Sequence, residues 1–171
     1  MDEVDATLSP EEFWEFSLAF YAREPVGAAC LSLQNRRGCD VNILLLCCWL
    51  ATLKLSITEA GIKSAIDSVA DWRRDVLEPL RGVRRNVMDA PMELSKAERR
   101  AIKDAVLAAE LDGEHAAQSR IVAVVGGDVD PTEVGTIQSI AANALETYLG
   151  LLALEPEEQD VRDIAALLEP L

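Results

Sequence analysis

The run Ile43–Leu53 constrains the fold more than any other part of this chain. It is apolar at every position except Thr52, with Asp40 and Asn42 at one end and Lys54 at the other. Extending it to Ile57 admits Lys54 and Ser56. Crossing a bilayer takes ~20 apolar residues, so the run is too short for a membrane span. What satisfies it is burial on most sides, as the central helix of a globular fold, with Asp40 as its N-cap. Half of the 171 residues are hydrophobic and only 5% are aromatic, so the core around this helix is aliphatic. That supply of apolar side chains argues against intrinsic disorder despite a net charge of −14. So acidic a chain also repels phosphate, which disfavours nucleic acid as a partner.

The rest of the chain repeats at a helical period, with start signals ahead of each segment. Ser9, Pro10 and Glu12 read as a capping-box start for a helix running to about Ala22, with Phe13, Phe16 and Phe20 on one face. Pro25 opens a second helix whose Val26, Ala29, Cys30 and Leu33 face inward, and Gly38 closes it after Arg36 and Arg37. Two cations in a last turn suit the helix dipole. After the central helix, Thr58 caps a fourth, and Ser95 with Glu98 caps a fifth that runs to about Val125. Asp130, Pro131 and Glu133 signal a sixth, with Val134, Ile137, Ala141, Leu145, Tyr148 and Leu152 inward. A short amphipathic segment follows Pro156, with Val161, Ile164, Ala165 and Leu168 on one side. No stretch alternates with period two, and Ile121–Val125, the best strand candidate, reads as a helix end. The expectation is an all-α protein, a single compact bundle of about six helices over residues 9–155, with 156–171 as a C-terminal amphipathic helix or tail.

Charge is segregated along the chain. Residues 1–22 carry a net −6, residues 23–103 a net +4 and residues 104–171 a net −12. The middle either folds against the acidic ends or presents a basic surface to an anionic ligand or acidic partner. Its densest part is the fourth helix, where Ile62, Ile66, Val69, Trp72, Val76, Leu80, Val83 and Val87 form an apolar stripe. At 100° per residue Arg73, Arg74, Arg81, Arg84 and Arg85 fall within about a 120° arc beside it. Five guanidiniums there suit phosphate or carboxylate, with Trp72 placed for a stacked or cation–π contact. Equally, Arg74 with Glu78 and Arg85 with Asp89 have the spacing of solvated helix pairs. Pro79 threatens the arc by kinking or restarting the helix.

Metal, cofactor and catalytic signals are lacking. Cys30, Cys39, Cys47 and Cys48 form no CxxC pair, and the one histidine, His115, is distant in sequence, so buried free thiols in a reducing cytoplasm are expected. Asp67, Asp71 and Asp75 recur every four residues beside the arginines, and pairing explains them better than magnesium does. Gly126–Gly127 lacks the lysine of a P-loop. No nucleophile–base spacing gives His115 a catalytic partner. The fifth helix has a stripe of Ile102, Val106, Ala109, Gly113, Ala117, Ile121 and Val124 whose small centre allows close helix approach, within the fold or across a homodimer.

The stretch FWEFSLAFYAREPVGAACLSLQNRRGCDVNILLLCCWLA, followed by WRRDVLEPLRGVRR, resembles a family of small cytoplasmic proteobacterial proteins catalogued as domain of unknown function 2390. The residues that carry the resemblance are Leu33 and Gln34; Gly38, Asp40, Val41, Asn42 and Trp49; and Trp72, Arg73, Pro79, Leu80, Arg81 and Arg85, over residues 13–86. Cys39 departs from the pattern, which has a small alanine-like residue there. The resemblance implies no activity. The candidate site residues are therefore physical inferences: Asp40, Asn42, Trp72, Arg73, Arg74, Arg81, Arg84 and Arg85, with Asp40, Asn42, Arg73 and Arg81 converging on a polar pocket or a structural network. The expected function is a non-enzymatic module that binds an unidentified protein partner or itself. The alternative is a binder of, or enzyme acting on, an anionic, partly apolar small molecule. Membrane binding is disfavoured by net charge.

Overall fold

A computed structural model describes residues 8–89 and 93–171. The chain runs α1 (Pro10–Tyr21), α2 (Glu24–Arg37), α3 (Val41–Thr52), β1 (Leu55–Ile57), α4 (Glu59–Trp72), a π-helical turn (Arg73–Leu77), α5 (Glu78–Asn86), α6 (Lys96–Val125), β2 (Val129–Pro131), α7 (Ile137–Leu151) and α8 (Glu158–Leu168). The class is all-α. As the apolar run requires, α3 is the hub, and every residue from Asn42 to Ala51 is buried. Phe13 of α1 stacks on Trp49 with ring centroids 4.9 Å apart, and Leu33, Ile62, Ile121 and Leu145 close the core from α2, α4, α6 and α7. No helix among the described residues is long and apolar enough to cross a membrane.

The helix starts follow local chemistry. Ser9, Asp40, Thr58 and Ser95 each accept a backbone N–H from the first turn of their helix, which contributes about 1 kcal/mol apiece. Ser95 and Glu98 close a full capping box. At Ser9 only half of one forms: the Ser9 hydroxyl accepts the Glu12 N–H and donates to Glu11, and the Glu12 carboxylate does not return to the Ser9 N–H. Gly38 ends α2 at φ +70°, where a side chain is disfavoured.

Four expectations need correction. First, a two-stranded antiparallel ribbon exists, pairing Leu55 with Pro131, Ser56 with Asp130 and Ile57 with Val129. It ties the α3–α4 connection to the α6–α7 connection, and three residues per strand are too few to show alternation. Second, Asp130 and Pro131 do not start a helix. They lie in β2, Gly135 takes φ +92°, and α7 begins at Ile137 with Thr136 as its cap. Val134 is accordingly 84% exposed. Third, α8 turns Asp160, Asp163 and Leu167 inward, and leaves Val161 and Ala165 exposed. Fourth, along α6 only the Gly113, Ala117 and Ile121 part of the expected stripe is buried, while Ile102, Ala109 and Val124 face solvent.

The π turn has the largest consequence. Pro79 has no N–H, and its ring clashes with the carbonyl four residues back. Around it the chain takes a wider turn, in which the Glu78 N–H reaches the Arg73 carbonyl five residues earlier. The extra residue moves the inward face on by one position. Leu77 and Arg81 are buried where Val76 and Leu80 were expected, and Val83 is 48% exposed. Gly113 lets this turn pass close to α6, and Trp72 Nε1 donates to its carbonyl at 3.0 Å.

Candidate functional site

The one-residue slip splits the five arginines. Arg74 points to solvent between Asp71 (2.8 Å) and Asp75 (2.7 Å) rather than pairing with Glu78. Arg85 is exposed, and no Arg85–Asp89 pair forms. Arg73 donates to the Gly38 carbonyl at 3.0 Å and lies 3.9 Å from Asp40. Only Arg81 and Arg84 turn toward α6. Trp72 turns its Nε1 to the Gly113 carbonyl of α6 instead of joining the arginines, and it is 38% exposed. The arc of five cations beside Trp72 is therefore not formed, because the uniform helical angle it assumed fails at the π turn. Of the acidic triplet, Asp67 pairs with Lys63 at 2.7 Å, and Asp71 and Asp75 with Arg74.

What does converge is a buried polar seam along α6. Asn42 in the first turn of α3 donates through Nδ2 to Glu114 Oε2 at 2.6 Å. Its Oδ1 accepts from Gln118 Nε2 at 2.9 Å, and the same Nε2 donates to Ser17 Oγ of α1 at 2.9 Å. On its other side Glu114 accepts from Arg81 Nη2, while Arg81 Nη1 donates to Glu78 at 2.8 Å. One turn on, Arg84 Nε donates to Glu110 at 2.7 Å. Asp40 lies behind this seam as the N-cap: its Oδ1 accepts from the Asn42 N–H at 2.8 Å, and its own N–H donates to the buried Tyr148 hydroxyl at 2.7 Å.

Burial pushes the Glu114 carboxyl above the ordinary glutamate range, even though Arg81 and Asn42 favour its charged form. For Arg81, burial works against the cation, and Glu114, Glu78 and Asp40 more than offset it, so its pKa is raised.

Above the seam, α1, α2, α3, α5 and α6 enclose an open recess of about 210 Å³. Ser17, Asn42, Gln118, Glu114 and Arg81 make its polar floor, with the Arg84–Glu110 pair at one edge. Trp14, Leu18, Leu31, Leu45 and Leu111 supply apolar walls. Trp14 is itself braced by His115, whose ring stacks on it at 4.6 Å and 17°. The seam and recess bring together Asn42, Arg81 and Arg84 from the expected set. Asp40 and Arg73 lie just behind, around a second space of about 230 Å³ closed by Tyr148 and Ile66.

Sequence reasoning missed Ser17, Glu110, Glu114 and Gln118 as site residues. A signal existed for three of them. Glu110, Glu114 and Gln118 recur every four residues, on the row next to Gly113, Ala117 and Ile121. Long polar side chains beside the smallest, most buried residues of a helix face inward with them.

A second polar cluster joins the end of α2 to α8. Arg36 contacts Glu157, the N-cap of α8, and Asp160 and Asp163 within it at 3.0, 2.8 and 3.0 Å. Arg37 contacts Glu157 at 2.6 Å and Asp160 at 3.1 Å. Beyond suiting the dipole of α2, these cations clamp the C-terminal helix.

No curated protein and no solved structure matches the chain. Residues 12–121 match the family described as "Protein of unknown function (DUF2390)". That span begins in α1 and ends in α6, so it holds every residue of the seam and of the recess described above, and by this match the chain belongs to the DUF2390 family.

Proposed function

We propose that this protein is a non-enzymatic protein-interaction module of the cytoplasm, and that it engages its partner through the mouth of the α1–α6 recess. One observation carries the reading: Leu18, Leu31 and Leu111 are 46%, 45% and 51% exposed, and all three line the same opening beside Trp14. Scattered exposed leucines need no explanation, but several around one concavity mark a contact surface. The ionic groups at the floor support binding over chemistry, since Arg81, Arg84, Glu110 and Glu114 are already engaged with each other. The same pairing weakens the case for an anionic small molecule, which would have to displace a carboxylate from each guanidinium. Four buried free thiols suit a reducing compartment.

Site-directed photocrosslinking in cells tests the reading. A photoreactive side chain at Leu18 or Leu111 is expected to give protein adducts that the same group at Val161, 62% exposed on α8, does not give. Leu111→Glu is expected to abolish the adduct formed from Leu18. Equal labelling from all three positions, or none from the rim, would overturn the proposal.

A further inference from the structure

Asp40 and Arg73 face each other without bonding. Arg73 Nη1 lies 3.9 Å from Asp40 Oδ2, beyond hydrogen-bond range. Both groups are held in place by their other atoms. Asp40 Oδ1 accepts the Asn42 N–H, and Arg73 Nη2 donates to the Gly38 and Cys39 carbonyls. Arg73 Nε is 3.7 Å from Glu78, which Arg81 already engages at 2.8 Å. Asp40 Oδ2 and Arg73 Nη1 are thereby left without a hydrogen-bond partner among the described residues. Asp40 is only 8% exposed, yet its Oδ2 keeps contact with solvent. Buried polar groups are bonded in almost all native structures, and these two line the same space of about 230 Å³ between α3, α4 and α7.

The lining narrows what fills the gap. The other walls are Ile43, Ile66, Val69, Ala70 and Leu152, with Tyr148 behind them, so the body of a ligand here is apolar. Its head meets two opposite charges. An anion alone satisfies Arg73 but sets its charge against Asp40, and a cation alone does the reverse. A head group carrying both charges pairs with both residues, and a free α-amino acid has this form, its ammonium and carboxylate being separated by one carbon. A peptide terminus carries only one of the two. An apolar cavity of ~150 Å³ takes benzene, so about 230 Å³ holds a branched aliphatic side chain together with its head. We infer that this crevice binds a free aliphatic α-amino acid of the leucine type, whose carboxylate accepts from Arg73 Nη1 and whose ammonium donates to Asp40 Oδ2. The crevice is separate from the recess, and it stands whether or not the recess takes a partner.

The test is titration calorimetry on the full chain with four probes: L-leucine, N-acetyl-L-leucine, L-leucinamide and L-glutamate. The Ile43 and Val69 methyl resonances locate the site. L-Leucine is expected to bind and to shift both. Blocking its ammonium or its carboxylate removes one charged hydrogen-bonded pair, and each change is expected to weaken binding roughly tenfold or more. L-Glutamate, whose second carboxylate meets the apolar walls, is expected to bind at least as weakly. Asp40→Asn keeps a side-chain oxygen for the cap of α3 and loses the charge, so it should erase the preference for L-leucine over N-acetyl-L-leucine. If that variant fails to fold, Ala70→Leu, at an exposed position on the crevice, should block entry and abolish L-leucine binding. No binding of L-leucine overturns the inference and leaves solvent alone between Arg73 and Asp40. Equal binding of L-leucine and either blocked form overturns the paired head, and equal binding of L-glutamate overturns the apolar pocket. Undiminished binding in Ala70→Leu, or methyl shifts absent from Ile43 and Val69, overturns the location.

Discussion

Asn42 Nδ2 donates to Glu114 Oε2 at 2.6 Å, so the first turn of the most apolar helix is tied to the middle of the longest one through a carboxylate. Burial raises the pKa of that carboxylate above the ordinary 4.5. An acid with a raised folded pKa contributes stability that is complete below its unfolded pKa and is lost as pH rises through the folded value. Wild-type protein should therefore lose stability relative to Glu114→Gln as pH climbs upward from about 4.5. Urea denaturation of both forms from pH 4 to 8 measures this, and a stability difference that stays flat with pH would refute it.

The clamp on α8 has the opposite pH signature. For Asp160, burial acts to raise the pKa, but the Glu157 N–H and the charges of Arg36 and Arg37 overcome it and hold the value below the ordinary 3.8. Stability from Asp160 is present above that value and is lost as pH falls through the lower, folded one. Asp160→Asn leaves two guanidiniums facing each other without their most buried partner. A fully buried pair broken in this way costs roughly 3–5 kcal/mol; with Arg36 about a third exposed, about 2–3 kcal/mol is expected. Thermal unfolding and hydrogen exchange along α8 should both register the change, and exchange that stays protected in the variant would show that the clamp is dispensable.

Much of this architecture is legible in the sequence, and the failures share a cause. Ser95 and Glu98, Asp40 before its apolar run, and Gly38 after Arg37 act through neighbours within four residues, and so they announce themselves. Arg36 and Asp160 are 124 positions apart in sequence, and nothing near Arg36 says that a C-terminal helix will lie across it. Ser56 meets Asp130 under the same blindness. Pro79 is different, because the sequence shows that the helix must yield there. Where it inserts the extra residue depends on Leu77 fitting under Gly113, a contact between two helices. Arg81 consequently moves from the flank of the stripe into the seam, while Arg74 and Arg85 stay outside.

The thiols should behave as core side chains. Burial pushes Cys30 and Cys47 up to about 12 and Cys39 up to about 11, and it raises Cys48 as well. Alkylation requires thiolate and access. Iodoacetamide at pH 8 is expected to label none of the four in native protein and all four in denaturant, counted by intact mass. A thiol that reacts in the native state within minutes would show that its surroundings open.

Gly113 is where the backbone geometry and the site meet. A Cβ built there sits 2.8 Å from Leu77 Cδ2 and 3.8 Å from Trp72 Cζ2, so a single methyl must displace the end of the Leu77 side chain, and a bulkier residue pushes the π turn away from α6. Replacing a helical glycine by alanine gains about 1 kcal/mol of helix propensity, while overpacking costs roughly 1–3 kcal/mol. Gly113→Ala should therefore be neutral to mildly destabilising, with the flexible end of Leu77 giving way. Gly113→Val adds two methyl groups and has poorer propensity, so a loss of about 2–4 kcal/mol is expected. The displacement should lengthen the Trp72 Nε1 bond to the residue 113 carbonyl and shift tryptophan emission to the red. It should also loosen Arg81 from Glu114, because Arg81 follows the same turn, and the pH dependence assigned to Glu114 should become steeper. A valine variant with wild-type stability and unchanged emission would mean that the π turn does not pack against α6 at this distance.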